Sequence, residues 1–253
     1  MAVSLKVLNE LHGVSGCEDS VRRCIRKEIA QFCDDIKTDS MGNLIAFRKG
    51  TSSEKRILLG SNMDEPGFIV SGITDKGYLK VKSVGSADIR TVLSGRVITD
   101  KGVRGVTGIK AVHLQTKKER FRSFPFSCSV FSTVNSSSLY IDIGCKKKET
   151  AEKRVALGDY IAFDTPYFET AHTAVGKAMG RAGVLCLIEA IKEKPAYDTY
   201  YVFSAQHEIP CRISGRGMMC AAYAIKPDAA VIIDSLATAD VFTDKNDKSQ
   251  ADL

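Results

Sequence analysis

The sequence predicts an α/β protein whose sheet domain is built from both ends of the chain and interrupted by an inserted small β-barrel domain. Three observations carry this expectation. Apolar strand-like runs alternate with helical periodicity in the first 67 residues; from about 68 to 166 the helical period gives way to short β-rich runs separated by turn residues; and after Pro166 the alternation returns. Alternating strands and helices point to a mainly parallel sheet, whereas closely spaced short strands point to a small barrel or sandwich. The expected division is 1–67 with 167–253 for the α/β domain and 68–166 for the insert, which would serve dimerisation.

The elements follow in order. Ser15-Gly-Cys-Glu18 has the spacing of a capping box, and Val21, Cys24, Ile25, Ile29 and Phe32 recur at helical spacing, so a helix is expected from about 16 to 33. Met41–Phe47 and Arg56–Gly60 read as strands, the second almost wholly apolar and so buried on both faces. The insert holds YLKVKSV, GRVIT, GVTGIKAVHL, SLYIDIG and DYIAFD, with an irregular serine-rich loop at Ser123–Ser138. Beyond it, Gly183–Ile191 sets Val184, Leu187, Ile188 and Ile191 on one helical face. Tyr200–Ala205 reads as a strand, Gly217–Ile225 as a helix and Ala229–Asp234 as a second buried strand.

Composition narrows the function classes. Net charge is +6, from 36 basic and 30 acidic residues, with short clusters at Lys117–Arg122 and Lys146–Lys148 that read as solvated loops. Nucleic-acid binding would need a basic stripe with interleaved aromatics, and Phe121, Phe124 and Phe126 alone do not make one. No apolar run reaches the 18 or so residues of a membrane-spanning helix, and the N-terminus carries no signal-peptide pattern. Eight cysteines show no CxxC pair, and several, such as Cys186, sit in apolar stretches as small hydrophobes. A reduced, cytoplasmic protein is expected.

Sites in open α/β sheets gather beyond the carboxyl ends of the strands. Three buried runs end there in polar residues: Ser61-Asn62-Met63-Asp64-Glu65, Gln206-His207-Glu208 and Asp234-Ser235. Carboxylates and an imidazole converging from three strand ends suit a metal or acid/base site, although strand ends are polar in any case.

Several segments are similar to the glutamyl-aminopeptidase (tetrahedral aminopeptidase) family, some of whose members are labelled endoglucanases. They are GVSGCEDSVRRCIRKEI, SMGNLIAFRKG, NMDEPGFIV, IDIGCKKKETAEKRVALGDYIAFDT, GKAM followed by RAGVLCLIEAI, and AAYAIKPDAAVIIDS, in family order from residue 13 onward. The resemblance implies a phosphorylase/hydrolase-like catalytic domain carrying a β insert, removal of N-terminal residues from peptides, homo-oligomeric assembly, and two divalent metals, zinc or cobalt. Such a pair would polarise the scissile carbonyl and acidify a bridging water.

Carried over position by position, the resemblance also implies a degenerate centre. The family's first histidine ligand is Asn62 here, and an amide is a poor zinc or cobalt ligand. Asp64 keeps the place of the aspartate that orients that histidine. Gly180, in Lys177-Ala178-Met179-Gly180-Arg181, stands at or beside the metal-bridging aspartate. His207 occupies the general-base place, where a histidine can still act; Glu208 and Asp234 retain ligand places. The last ligand would be a histidine in a C-terminal segment without counterpart here, so the chain reads as C-terminally shortened. His113 and His172 read as structural or loop residues.

Three readings remain open. The chain is a family member with lost or strongly reduced activity, a non-enzymatic assembly or regulatory partner of a full-length paralogue, or a residual hydrolase with one weakly bound metal on His207, Glu208 and Asp234. Peptides are the partners if it is active; neither nucleic acid nor membrane is expected.

Overall fold

The computed structural model describes residues 3–87, 89–109, 139–209 and 215–236. His113, the serine-rich loop, the end of the GVTGIKAVHL run and residues 213–214 lie outside the described residues.

Two helices open the chain, α1 (Leu5–Glu10) and α2 (Asp19–Ile29). Val21, Ile25 and Ile29 form the buried stripe of α2, as their spacing predicts. The capping box does not form. Glu18, not Ser15, precedes the helix, and its carboxylate is committed to the Gly16 and Gln206 amides.

Among the described residues, five strands make the sheet: β1 (Asp35–Thr38), β2 (Leu44–Arg48), β3 (Ser52–Asn62), β12 (Tyr197–Ser204) and β13 (Ala229–Ile232), in the spatial order β1-β2-β12-β3-β13. The expectation of a mainly parallel sheet is corrected here. β3 pairs in parallel with β12 and β13, but β2 runs antiparallel to both β1 and β12, so the sheet is mixed. The reason is local: the hairpin at Gly42-Asn43 returns β2 beside β1 without a crossover helix.

Barrel strands come from the middle of the chain. β4 (Gly67–Ile73), β5 (Leu79–Val84), β6 (Arg96–Thr99), β7 (Arg104–Gly108), β8 (Tyr140–Asp142) and β9 (Tyr160–Phe163) close in the order β4-β5-β8-β7-β6-β9. Phe68, Val70, Leu79, Val81, Val97, Ile141 and Ile161 fill it. Among the described residues, two short helices also occur there, α3 (Ile89–Val92) and α4 (Lys148–Glu152), too brief to show a helical period in the sequence. A small hairpin, β10 (Phe168–Glu169) with β11 (Ala174–Val175), follows the barrel.

Helices cover both faces of the sheet. α5 (Arg181–Ala190) packs with α1 and α2 on one face, where Val184, Leu187 and Ile188 meet Leu44, Tyr201 and Phe203. α6 (Arg216–Ile225) lies on the other, against Ile45, Leu58 and Val202. Two expectations fail at the margins. β13, expected to be buried, has all four of its residues exposed, because it is an outer strand with only β3 beside it among the described residues. Cys186 points outward from α5 despite its apolar neighbours. Among the described residues, no helix is long and apolar enough to cross a membrane.

Candidate functional site

The parallel strands deliver their ends side by side. Asn62 is registered against Ser204 of β12, and Gly60 against Ile232 of β13, so the residues following each strand emerge at one edge of the sheet. α5 begins at the same place, with Gly180 as its N-cap. A Cβ added to Gly180 would lie 3.3 Å from Asp234 Oδ1, 3.6 Å from Ser235 Oγ and 3.7 Å from Asn62 Nδ2. His207 Nε2 stands 3.8 Å from Asp234 Oδ2, both side chains about 30% exposed. Asn62, Gly180, His207 and Asp234, from four separate stretches of sequence, therefore meet.

Two carboxylates hold the loop that carries His207. Gln206, with φ of 57°, donates its N–H to Glu18 Oε1 at 2.9 Å. Glu208 donates its N–H to Asp64 Oδ2 at 2.8 Å. Burial raises the Glu18 carboxyl above the usual range, opposed by the amides it accepts. Glu208 itself turns away from the cluster. Its Oε2 accepts the Ser86 N–H at 3.3 Å, reaching the barrel instead of Asp234. His172 is exposed, between β10 and β11.

These groups do not fit a pair of zinc or cobalt ions. Asn62 offers an amide whose Oδ1 is buried without a hydrogen-bond partner, and Gly180 offers no side chain. Among the described residues, no three His, Cys, Asp or Glu side chains converge as a metal-ligating group. Asp64 Oδ1 is likewise buried and unpartnered, close to an asparagine that presents no imidazole for it to orient.

Next to this depleted cluster lies a better-satisfied one that sequence reasoning missed, in which Glu65 Oε2 is the buried side-chain atom left without a hydrogen-bond partner among the described residues. Arg181 is fully buried and donates to the carbonyls of Met63 (2.8 Å), Leu8 (2.7 Å) and Leu11 (2.8 Å) and to Glu65 Oε1 (3.1 Å). Lys177 Nζ donates to the same Glu65 oxygen at 2.9 Å and lies 3.2 Å from His12 Nδ1. Burial lowers the Lys177 ammonium, against the pull of Glu65; burial and then the Lys177 charge lower His12. The signal was in the sequence: a lysine and an arginine four residues apart, with a glutamate at an apolar strand's end. Asn43 was missed as well. Fully buried, it accepts the Ala205 N–H and donates to Asp39 Oδ2 and Gly217 O, tying β12 to α6. Gly217 is required there, since a Cβ would fall 2.1 Å from Ala205 O. A cavity of about 300 Å³ lies elsewhere, between the α1–α2 link and the barrel, lined by His12, Cys17, Asp100 and Tyr160 among others.

The likeness to known proteins converges on one family. Residues 42–252 match the M42 glutamyl aminopeptidase family. The chain is 36% identical over 239 residues to a protein of Acetivibrio thermocellus named provisionally as an aminopeptidase, covering 93% of this chain and 66% of that protein. It superposes on an aminopeptidase of the archaeon Desulfurococcus kamchatkensis with a TM-score of 0.83 at 30% identity, covering 98% of this chain and 66% of the other. The TET1 peptidase of Pyrococcus horikoshii, described as assembling into a tetrahedron or a large octahedral shell, gives 0.76 at 31% identity, covering 94% and 71%. The chain thus spans about two thirds of the length of the curated relatives it matches first. With this match along most of its length, the chain belongs to the M42 glutamyl aminopeptidase family.

Proposed function

We propose that this chain is a metallo-aminopeptidase family protein in which peptidase activity is lost or strongly reduced. One observation carries the reading. Where the strand ends and the start of α5 converge, the place facing Asp234 and Asn62 is a glycine, and no set of three ligating side chains forms among the described residues. A two-metal mechanism needs a carboxylate that joins both ions and several further ligands. Asn62, Gly180 and Asp234 supply one anionic ligand among them.

What the residues can do is narrower. His207 beside Asp234 can exchange a proton, and Asp64 and Glu18 hold its loop. Peptides are the substrate or ligand class this reading assigns, with the α/β domain at 1–67 and 167–253 and the barrel insert at 68–166. Assembly is the second reading, favoured by the closed barrel and by the oligomeric description of the Pyrococcus horikoshii relative. A single metal on His207, Glu208 and Asp234 is disfavoured by the turn of Glu208 towards Ser86.

The test is metal content by mass spectrometry after loading with zinc or cobalt, alongside hydrolysis of aminoacyl-p-nitroanilides. The expected outcome is no stoichiometric metal and no turnover. Stoichiometric metal with activity abolished by Glu208→Ala would overturn the proposal.

A further inference from the structure

The cavity of about 300 Å³ between the α1–α2 link and the barrel shares no lining residue with the strand-end cluster. Its lining divides by depth. Leu11, Val14 and Ala162 give an apolar inner wall, with Val14 and Ala162 buried and packed together. Glu10, Arg23 and Asp100 are exposed and stand at the mouth. Three separate segments bring them there. Glu10 closes α1, Arg23 lies in α2, and Asp100 follows β6, its N–H donated to Tyr160 O at 3.1 Å. Neighbouring charges already have partners: Asp19 is bonded to Arg22, and Lys101 Nζ donates to both Asp159 oxygens at 2.7 and 2.8 Å. Glu10, Arg23 and Asp100 form no ion pair among the described residues. Partial burial, and next the Asp159 charge, raise the Asp100 carboxyl above the usual range. A cation beside Asp100 would offset both.

We propose that this cavity binds a free amino acid with an apolar side chain, such as leucine. The side chain rests on Leu11, Val14 and Ala162, the carboxylate meets Arg23, and the ammonium meets Asp100 and Glu10. Small-molecule sites run from about 300 to 1,000 Å³ and combine mostly apolar walls with a few placed polar groups. At the lower limit, this one suits a ligand of amino-acid size. Arginine is a favoured partner for a carboxylate because its planar fork donates two parallel N–H bonds. An extended peptide suits the mouth less well. Its first residue carries only the ammonium, which leaves Arg23 unmatched, and its last only the carboxylate, which leaves Glu10 and Asp100 unmatched.

The experiment is isothermal titration calorimetry of the full chain with L-leucine, with L-leucinamide, which lacks the carboxylate, and with N-acetyl-L-leucine, which lacks the ammonium. It is repeated on Arg23→Gln and on the double variant Glu10→Gln with Asp100→Asn, with circular dichroism to establish that each is folded. The expected result is saturable binding of L-leucine, weakened at least about tenfold by either blocked analogue and by either variant. Arg23→Gln is expected to leave L-leucinamide binding unchanged, and the double variant to leave N-acetyl-L-leucine binding unchanged, because each has already lost that contact. No saturable heat from L-leucine up to about 10 mM would overturn the inference. So would either analogue binding as tightly as L-leucine, or L-leucine binding that both variants leave unchanged; the last would move the ligand to another place, such as the strand-end cluster. None of these outcomes depends on whether that cluster holds metal or turns over peptides.

Discussion

Two groups of side chains leave the same end of β3 and differ in how well they are satisfied. Glu65, Lys177 and Arg181 are buried, and each is tied to the others or to backbone carbonyls of α1 and its link. Asn62, Gly180, His207 and Asp234 lie close by along the chain or across the sheet, and they share a single 3.8 Å approach between His207 and Asp234. The first group fixes where helix and strand meet; the second would fix what chemistry occurs there. The groups at the second place share few contacts, whereas removing one partner of a buried charged network leaves an uncompensated charge in the interior.

The sharpest way to break the comparison is to attack the better-satisfied group. Arg181→Met leaves Glu65 with Lys177 and the Gly13 amide and takes the guanidinium donor from three carbonyls, so unfolding in urea is expected to show a loss of about 3–5 kcal/mol. A loss below about 1 kcal/mol would mean the two groups are not different in kind.

Repairing the depleted group is the second route. Gly180 has helical φ and ψ (−54°, −23°), and a Cβ there would meet only side-chain atoms, at 3.3 Å or more. Asn62→His combined with Gly180→Asp is therefore expected to take up stoichiometric zinc that the parent chain does not hold, read by mass spectrometry and by a zinc-dependent rise in Tm. No uptake by a folded double variant would show that the surrounding geometry has drifted as well.

A third prediction concerns pH. Burial and Lys177 hold His12 below the ordinary histidine value of about 6.5. The unfolded chain takes up this proton at higher pH than the folded one, so stability is expected to fall as pH drops from about 6.5 through the depressed folded value, and to be insensitive to His12 above it. In His12→Gln that part of the decline should vanish from Tm measured against pH; an unchanged profile would remove His12 from the network's energetics. The smallest effect is expected at Asn62. Because its buried oxygen has no partner, Asn62→Val should change stability by less than about 1 kcal/mol, with stabilisation the favoured sign.

Much of the scaffold was legible in the chain. Strand and helix periods located β3, β12, α2 and α5 because each buries a regular stripe, and the polar strand ends pointed to the place where Asn62, His207 and Asp234 meet. The mixed sheet was not legible, since strand direction depends on which neighbours a strand finds. Nor was the exposure of β13: an apolar run is the same string whether covered or bare. Glu65 was read with the strand-end group and Lys177 and Arg181 with the stretch around Gly180, but their convergence on one Glu65 oxygen is visible only in the structure.

By itself, the sequence determined the side chains available at each strand end, and so that the place of Gly180 carries no ligand and that of Asn62 carries a poor one. Tertiary structure alone decided that these places face one another and that Glu208 turns to Ser86 instead of joining them. Composition along a chain is local, while this site is a set of distances between Asn62 and segments more than a hundred residues further on, set by the register of parallel strands and the helix packed across them.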